Sequence, residues 1–249
     1  MLLKPFGYMI IVKETKLAEV ILSDIQLLPI VHRLGINLGF GEKTVEQVCH
    51  TQGVDLYFFL EIVNLFCNPD YSPTRQPSYG IDPVVVYLHK SHSFFREIKF
   101  PLVKSKIESL KQFQGGEGQI PLIQKFFTSY MVEFLTHIQY EDEVVFPYSL
   151  MVNGCFNAGT ISPELTRKMK SYSMSTFRQE HDDIESKLSD LRNILIKYLP
   201  PIDGGTVVTS ILLELSAMEK ELENHSIIEE RILVPRVLAM EEELIARGS

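Results

Sequence analysis

The sequence predicts an all-α protein: an up-down-up-down four-helix bundle preceded by a small helical N-terminal domain. Three observations lead there. Four long segments carry apolar residues at the three- and four-residue spacing of an amphipathic helix. Each of those stripes is interrupted by one histidine, namely His92, His137, His181 and His225. Two of the segments share a further pattern, His-x3-Glu-x5-Pro, in THIQYEDEVVFP (His137, Glu141, Pro147) and NHSIIEERILVP (His225, Glu229, Pro235).

The elements follow in order. Residues 15–66 read as the small helical domain. Leu17 to Leu34 is broadly helical, with a break or kink expected at Pro29. The glycines of Gly35-Ile36-Asn37-Leu38-Gly39-Phe40-Gly41 mark a tight turn. Thr44 caps a short helix through Cys49, Gly53 ends it, and Asp55 starts another through Phe66. Residues 67–80, CNPDYSPTRQPSYG, hold three prolines and a glycine and read as a linker. The bundle is expected over 81–246. Its first helix covers 82–113, bent near Pro101, and a glycine-rich loop follows from Gln114 to Gln119. The second helix covers 121–149, with Pro147 in or just past its last turn. A loop runs from Asn153 to Ser162, where Ser162-Pro163 is a cap followed by a first-turn proline. The third helix covers 163–199. Pro200-Pro201 and Gly204-Gly205 break the chain, and the fourth helix covers 206–245.

Bulk properties narrow the function classes. The 249 residues suffice for one large domain or two modest ones. A net charge of −8 without a Lys/Arg cluster argues against a nucleic-acid surface. Cys49, Cys67 and Cys155 are scattered and form no CxxC, so a reducing, cytoplasmic setting is expected rather than a disulfide framework. No apolar run reaches the ~20 residues of a membrane span, and the start lacks the marks of a signal peptide. No membrane partner is expected; Met9 is an alternative start.

The two repeated pairs carry the chemistry. On a helix, His and Glu at i,i+4 share a face about 6 Å apart along the axis, so one pair offers a metal an imidazole and a carboxylate. Their stripes are Tyr130, Phe134, His137, Glu141, Val144, Tyr148 and Leu215, Met218, Leu222, His225, Glu229, Ile232. The other two run Met174, Phe177, His181, Ile184, Leu188, Leu191, Leu195 and Ile81, Val85, Leu88, His92, Phe95, Ile98, Leu102. An ionised carboxylate on such a stripe is costly unless paired or metal-bound. The expected ligands are His92, His137, Glu141, His181, His225 and Glu229. Two imidazoles per metal and two bridging carboxylates leave an open position for a small ligand, which favours redox-active iron over closed, tetrahedral zinc. Against this stands the plainer reading of any one inward histidine as a hydrogen-bonded core residue, and of the whole as a metal-free scaffold. His89 is read as outward, Glu185 as solvated, and Asp142, Glu143 and Glu230 as surface charge. His32 and His50 are expected to be exposed, and Tyr130 and Tyr148 to be packing. No catalytic residue is assigned.

With these residues in place, the bundle resembles the hemerythrin-like domain. More closely, residues from about 20 to 240 resemble the YtfE/ScdA family of repair-of-iron-centres di-iron proteins. The resemblance rests on His92, HIQYEDEVVFP, Glu180-His181-Asp182 and HSIIEERILVP, the last with Val234 where the family usually has Phe. It implies two non-haem irons with an oxo or hydroxo bridge, and repair of iron–sulfur clusters under nitrosative or oxidative stress. The implied partners are a diatomic ligand (oxygen or nitric oxide), a damaged iron–sulfur protein, and a second copy of the chain. The family's Cys-Cys-Gly turn is replaced here by Gly39-Phe40-Gly41. The alternatives are a di-iron sensor or binder that signals to a partner, and a nitric oxide or peroxide reductase.

Overall fold

The computed structural model describes residues 10–74, 78–114, 118–180 and 186–248. Among these, the regular structure is helical, apart from one isolated antiparallel bridge between Lys16 and Thr44. The chain packs as two compact units. The first comprises Met1–Lys90, Val152–Ile161 and Ile228–Ser249, and the second Ser91–Met151 and Ser162–Ile227.

In the first unit, α1 (Leu17–Ser23) is followed by a 3-10 turn (Ile25–Leu27) and α2 (Leu28–Arg33). The break falls at Asp24, not at Pro29. Asp24 is extended and its carboxylate accepts from the Gln26 N–H at 3.0 Å. Pro29 sits in the first turn of α2, where a missing N–H costs nothing. α3 (Val45–Gln52) opens on a reciprocal cap: Thr44 Oγ1 accepts from Gln47 N, and Gln47 Oε1 accepts from Thr44 N. It closes at Gly53, whose φ of 70° suits glycine. α4 (Leu56–Cys67), capped by Asp55, buries Phe58, Phe59, Ile62 and Val63 together with two polar side chains, Glu61 and Asn64. Asn64 pairs with Ile11 through both backbone groups, at 2.7 and 2.9 Å. Glu61 accepts from the Tyr79 hydroxyl and the Thr74 N–H. Arg236 donates to the Tyr79 carbonyl at 2.7 Å and lies over the Tyr79 ring, while Arg231 donates to the Tyr71 carbonyl. Tyr71 and Tyr79, in a stretch whose composition reads as a linker, are thus fastened by specific hydrogen bonds.

Three long rods carry a π turn each. α5 (Asp82–Phe94) passes through Phe95–Lys99 into α6 (Phe100–Ser109). α7 (Gln119–Tyr140) passes through Glu141–Val145 into α8 (Phe146–Ala158). In each case the first residue after the turn returns its N–H five residues back, Phe100 to Phe95 and Phe146 to Glu141. The residue after that is a proline, Pro101 or Pro147. Proline has no N–H to give the carbonyl four residues back and its ring crowds that carbonyl; a widened turn relieves both faults without ending the helix. The second rod therefore runs on to Ala158 and stops at Gly159 (φ 69°), through much of the stretch expected to be loop.

The third segment is not one helix. α9 (Pro163–Met169) and α10 (Met174–Glu180) are separated by a break in which Ser173 Oγ accepts from Thr176 N. α11 (Ser186–Tyr198) follows. The fourth rod is α12 (Gly205–Ile228), a π turn at Glu229–Leu233 closed by Val234 N–H to the Glu229 carbonyl, and α13 (Val234–Gly248), with Pro235 again one residue on.

The second unit is a bundle around one core. Phe95, Phe100, Val103 and Ile107 come from the first rod, and Ile123, Phe127, Tyr130 and Phe134 from the second. Leu188, Leu191 and Leu195 come from α11, and Ile211, Leu215, Met218 and Leu222 from α12. All four segments thus supply one face, as the stripes predict. One stripe changes phase: Ile98 and Leu102 are exposed, and Phe100 and Val103 are buried in their place. The extra residue of the π turn at Phe95–Lys99 makes that shift.

Candidate metal centre

The π turns also place the site. His92 lies three residues before Phe95, where the first turn begins. His137 lies in the last turn of α7, and its carbonyl accepts from the N–H of Glu141, the first residue of the next π turn. His225 and Glu229 repeat that arrangement on the fourth rod.

His92, Glu141 and His225, all in the second unit, are each less than 5% exposed. His92 Nε2 lies 3.1 Å from Glu141 Oε2 and 3.3 Å from His225 Nε2. His225 Nε2 lies 3.8 Å from the same Glu141 oxygen. The other oxygen, Oε1, lies 3.0 Å from His137 Nε2, whose side chain is 20% exposed. The two oxygens of one buried carboxylate thus face different imidazoles. Glu229, 1% exposed, is set relative to His225 by the helix that carries both. One donor atom from each of His92, Glu141, His225 and Glu229 lies within 4.8 Å of the others.

Aromatic rings close the sides. Phe146 stacks on His92 with centroids 5.2 Å apart and planes 17° off parallel. Phe95 meets His225 edge-on at 6.3 Å. A donor set of two imidazoles and two carboxylates, almost wholly out of water, suits iron, manganese or zinc. Bound cationic metal would also offset the cost of burying two ionised carboxylates.

Five of the six sequence-predicted ligands fall among the described residues. His92, Glu141, His225 and Glu229 come together, and His137 joins through Glu141. His181 lies outside the described residues, as does Glu185. Asp142 corrects the sequence reading. Expected as surface charge, it places Oδ1 at 2.6 Å from His92 Nδ1 and takes Arg96 Nη2 on Oδ2 at 3.2 Å. His89, expected to face outward, offers a ring nitrogen within 4.8 Å of donors on His92 and Asp142. The signal available for Asp142 was its place beside Glu141 just ahead of a proline, where the helix widens.

A helical bundle with buried histidine and glutamate donors on facing helices defines a metal-binding protein. Residues 84–237 match the hemerythrin HHE cation binding domain, and the chain belongs to that family. It is 22% identical over 205 residues to the iron-sulfur cluster repair protein YtfE of an Enterobacter species, covering 81% of this chain and 86% of that protein. It is 23% identical over 162 residues to the proteins of the same name from Citrobacter koseri and Salmonella newport. Those matches cover 65% of this chain and 66%, just under two thirds, of the relatives.

Proposed function

We propose that the chain is a non-haem di-iron protein of the iron–sulfur cluster repair type, acting in the cytoplasm under nitrosative or oxidative stress. Glu141 carries the reading: its two oxygens, turned to His137 on one side and to His92 and His225 on the other, have the disposition a bridging carboxylate needs. Glu229 takes the same role on the fourth rod, and His181 completes the set through its motif. When bound, the iron pair and its oxo or hydroxo bridge supply redox-active metal and an open position for oxygen or nitric oxide. The chain holds the donors in place, and Phe95 and Phe146 keep water from the imidazoles. The relatives' name supports a damaged iron–sulfur protein as the partner. Among the described residues no helix is long and apolar enough to cross a membrane.

The test is anaerobic loading with ferrous iron, a count of iron per chain, and incubation with an iron–sulfur enzyme inactivated by nitric oxide. Two irons per chain and recovery beyond that given by free ferrous iron are expected. One tightly held zinc with no affinity for iron would sink the reading.

One observation favours a sensor as the second reading. The turn where the family keeps its cysteine pair has Gly39 and Gly41 at φ 90° and 59°, with no thiol between them. Cys49, elsewhere in that unit, is buried and its thiol is pushed up to about 12. An N-terminal unit without reactive thiols serves as an interaction module, for a partner protein or a second copy. Nitric oxide binding without cluster recovery would select this reading.

A further inference from the structure

We propose that Asp142 is the positioning residue of His92, and that Arg96 holds Asp142 in that task. The proposal rests on the reading of His92 as a metal ligand and adds what fixes its ring. His92 spans two consecutive carboxylates. Nδ1 lies 2.6 Å from Asp142 Oδ1, and Nε2 lies 3.1 Å from Glu141 Oε2. A carboxylate accepts and does not donate, so the hydrogen at 2.6 Å belongs to Nδ1. A neutral imidazole with its hydrogen on Nδ1 carries its lone pair on Nε2, the nitrogen that faces Glu141 and His225. Asp142 thus selects which nitrogen is offered to metal, and its charge strengthens that nitrogen as a donor.

Asp142 is in turn held from the rod that carries His92. Arg96, four residues on, donates Nη2 to Asp142 Oδ2 at 3.2 Å. The contacts close a loop from His92 to Asp142 to Arg96 and back along one helix, and Phe146 stacked on the ring fixes its tilt. The π turn at Glu141–Val145 contains both carboxylates, so one local widening sets the bridging candidate and the positioning residue together. The rival assignment makes Asp142 a ligand itself, with His89 and His92 Nδ1, since those donors also lie within 4.8 Å of one another.

Two measurements on the full chain decide it. In the metal-free protein, long-range proton–nitrogen NMR should show His92 with hydrogen on Nδ1, its signals identified by their loss in His92→Gln. Asp142→Ala should move that hydrogen to Nε2 or mix the two forms, and Asp142→Asn, whose amide oxygen still accepts, should restore Nδ1–H. In the second arm, ferrous affinity by chelator competition should fall about 10–100-fold in Asp142→Ala with the stoichiometry kept. Asp142→Asn should recover part of the loss, and Arg96→Gln should lose less than Asp142→Ala. Unchanged tautomer and affinity in Asp142→Ala would overturn the proposal. Loss of a whole metal ion with the tautomer unmoved would assign Asp142 as a ligand instead. A wild-type chain that takes no iron, yet shows the tautomer shift, would refute the di-iron reading and leave Asp142 as what orients His92.

Discussion

Glu141 and Asp142 are neighbours that face one imidazole from its two nitrogens, and the sequence told only half of this. The glutamate was legible because it recurs at i+4 from a histidine on an apolar stripe. The aspartate was not, because straight helical geometry turns it about 100° away, and only the π turn brings it back. Glu141→Ala and Glu229→Ala should each lose most of the bound iron. Glu143→Ala should not, since that side chain is exposed and hydrogen-bonded to Gln139; equal loss in all three would show that burial does not select the ligands. The thiols give a pH signature. Burial, with smaller contributions from Asp55 and Asp24, raises Cys49 to about 12 and Cys67 to about 11 from the ordinary 9.0. Unfolded thiols ionise first, so the folded state's advantage is full below pH 9 and is lost as pH rises through 11 and 12. Melting temperature should drop between pH 8 and pH 11, and iodoacetamide should label these cysteines slowly until the chain is unfolded.

At the scale of elements, helix existence and most buried faces followed from periodicity, and the departures share one cause. Reading Ile98 and Leu102 onto the buried stripe assumes an unbroken 3.6-residue period, and the Phe95–Lys99 turn adds a residue that exposes both. Pro147 read as a stop for the same reason, and the rod continues to Ala158. The break at Lys170–Ser173 had no glycine or proline to announce it; a serine cap made it. Pro235→Ala should let the fourth rod close an ordinary turn, since an interior proline costs a helix roughly 3 kcal/mol. The metal-free melting temperature should hold or rise, while ferrous affinity falls because Glu229 turns away from His225's face. An unchanged affinity would mean that packing, not the proline, holds the turn open.

At the scale of the whole molecule, the bundle core was legible because four stripes converge on it, whereas the hydrogen bonds from Arg231 and Arg236 to Tyr71 and Tyr79 depend on partners far apart in sequence. Ferrous iron should raise the melting temperature and a chelator should reverse the rise, by mass action on the native state alone. Phe127→Ala, which empties a fully buried core position, should cost about 3–5 kcal/mol in a denaturant melt. The π turns carry a last consequence, for how this chain tolerates changes of length. A residue gained or lost in a surface loop is absorbed at little cost. A single deletion between Glu229 and Pro235 would instead straighten the rod and rotate everything beyond it by about 100°. Val237 and Leu244, now fully buried, would swing off their face. In these three rods, then, drift by substitution is far cheaper than drift by insertion or deletion, and the distance from each first π-turn residue to its proline behaves as a fixed count.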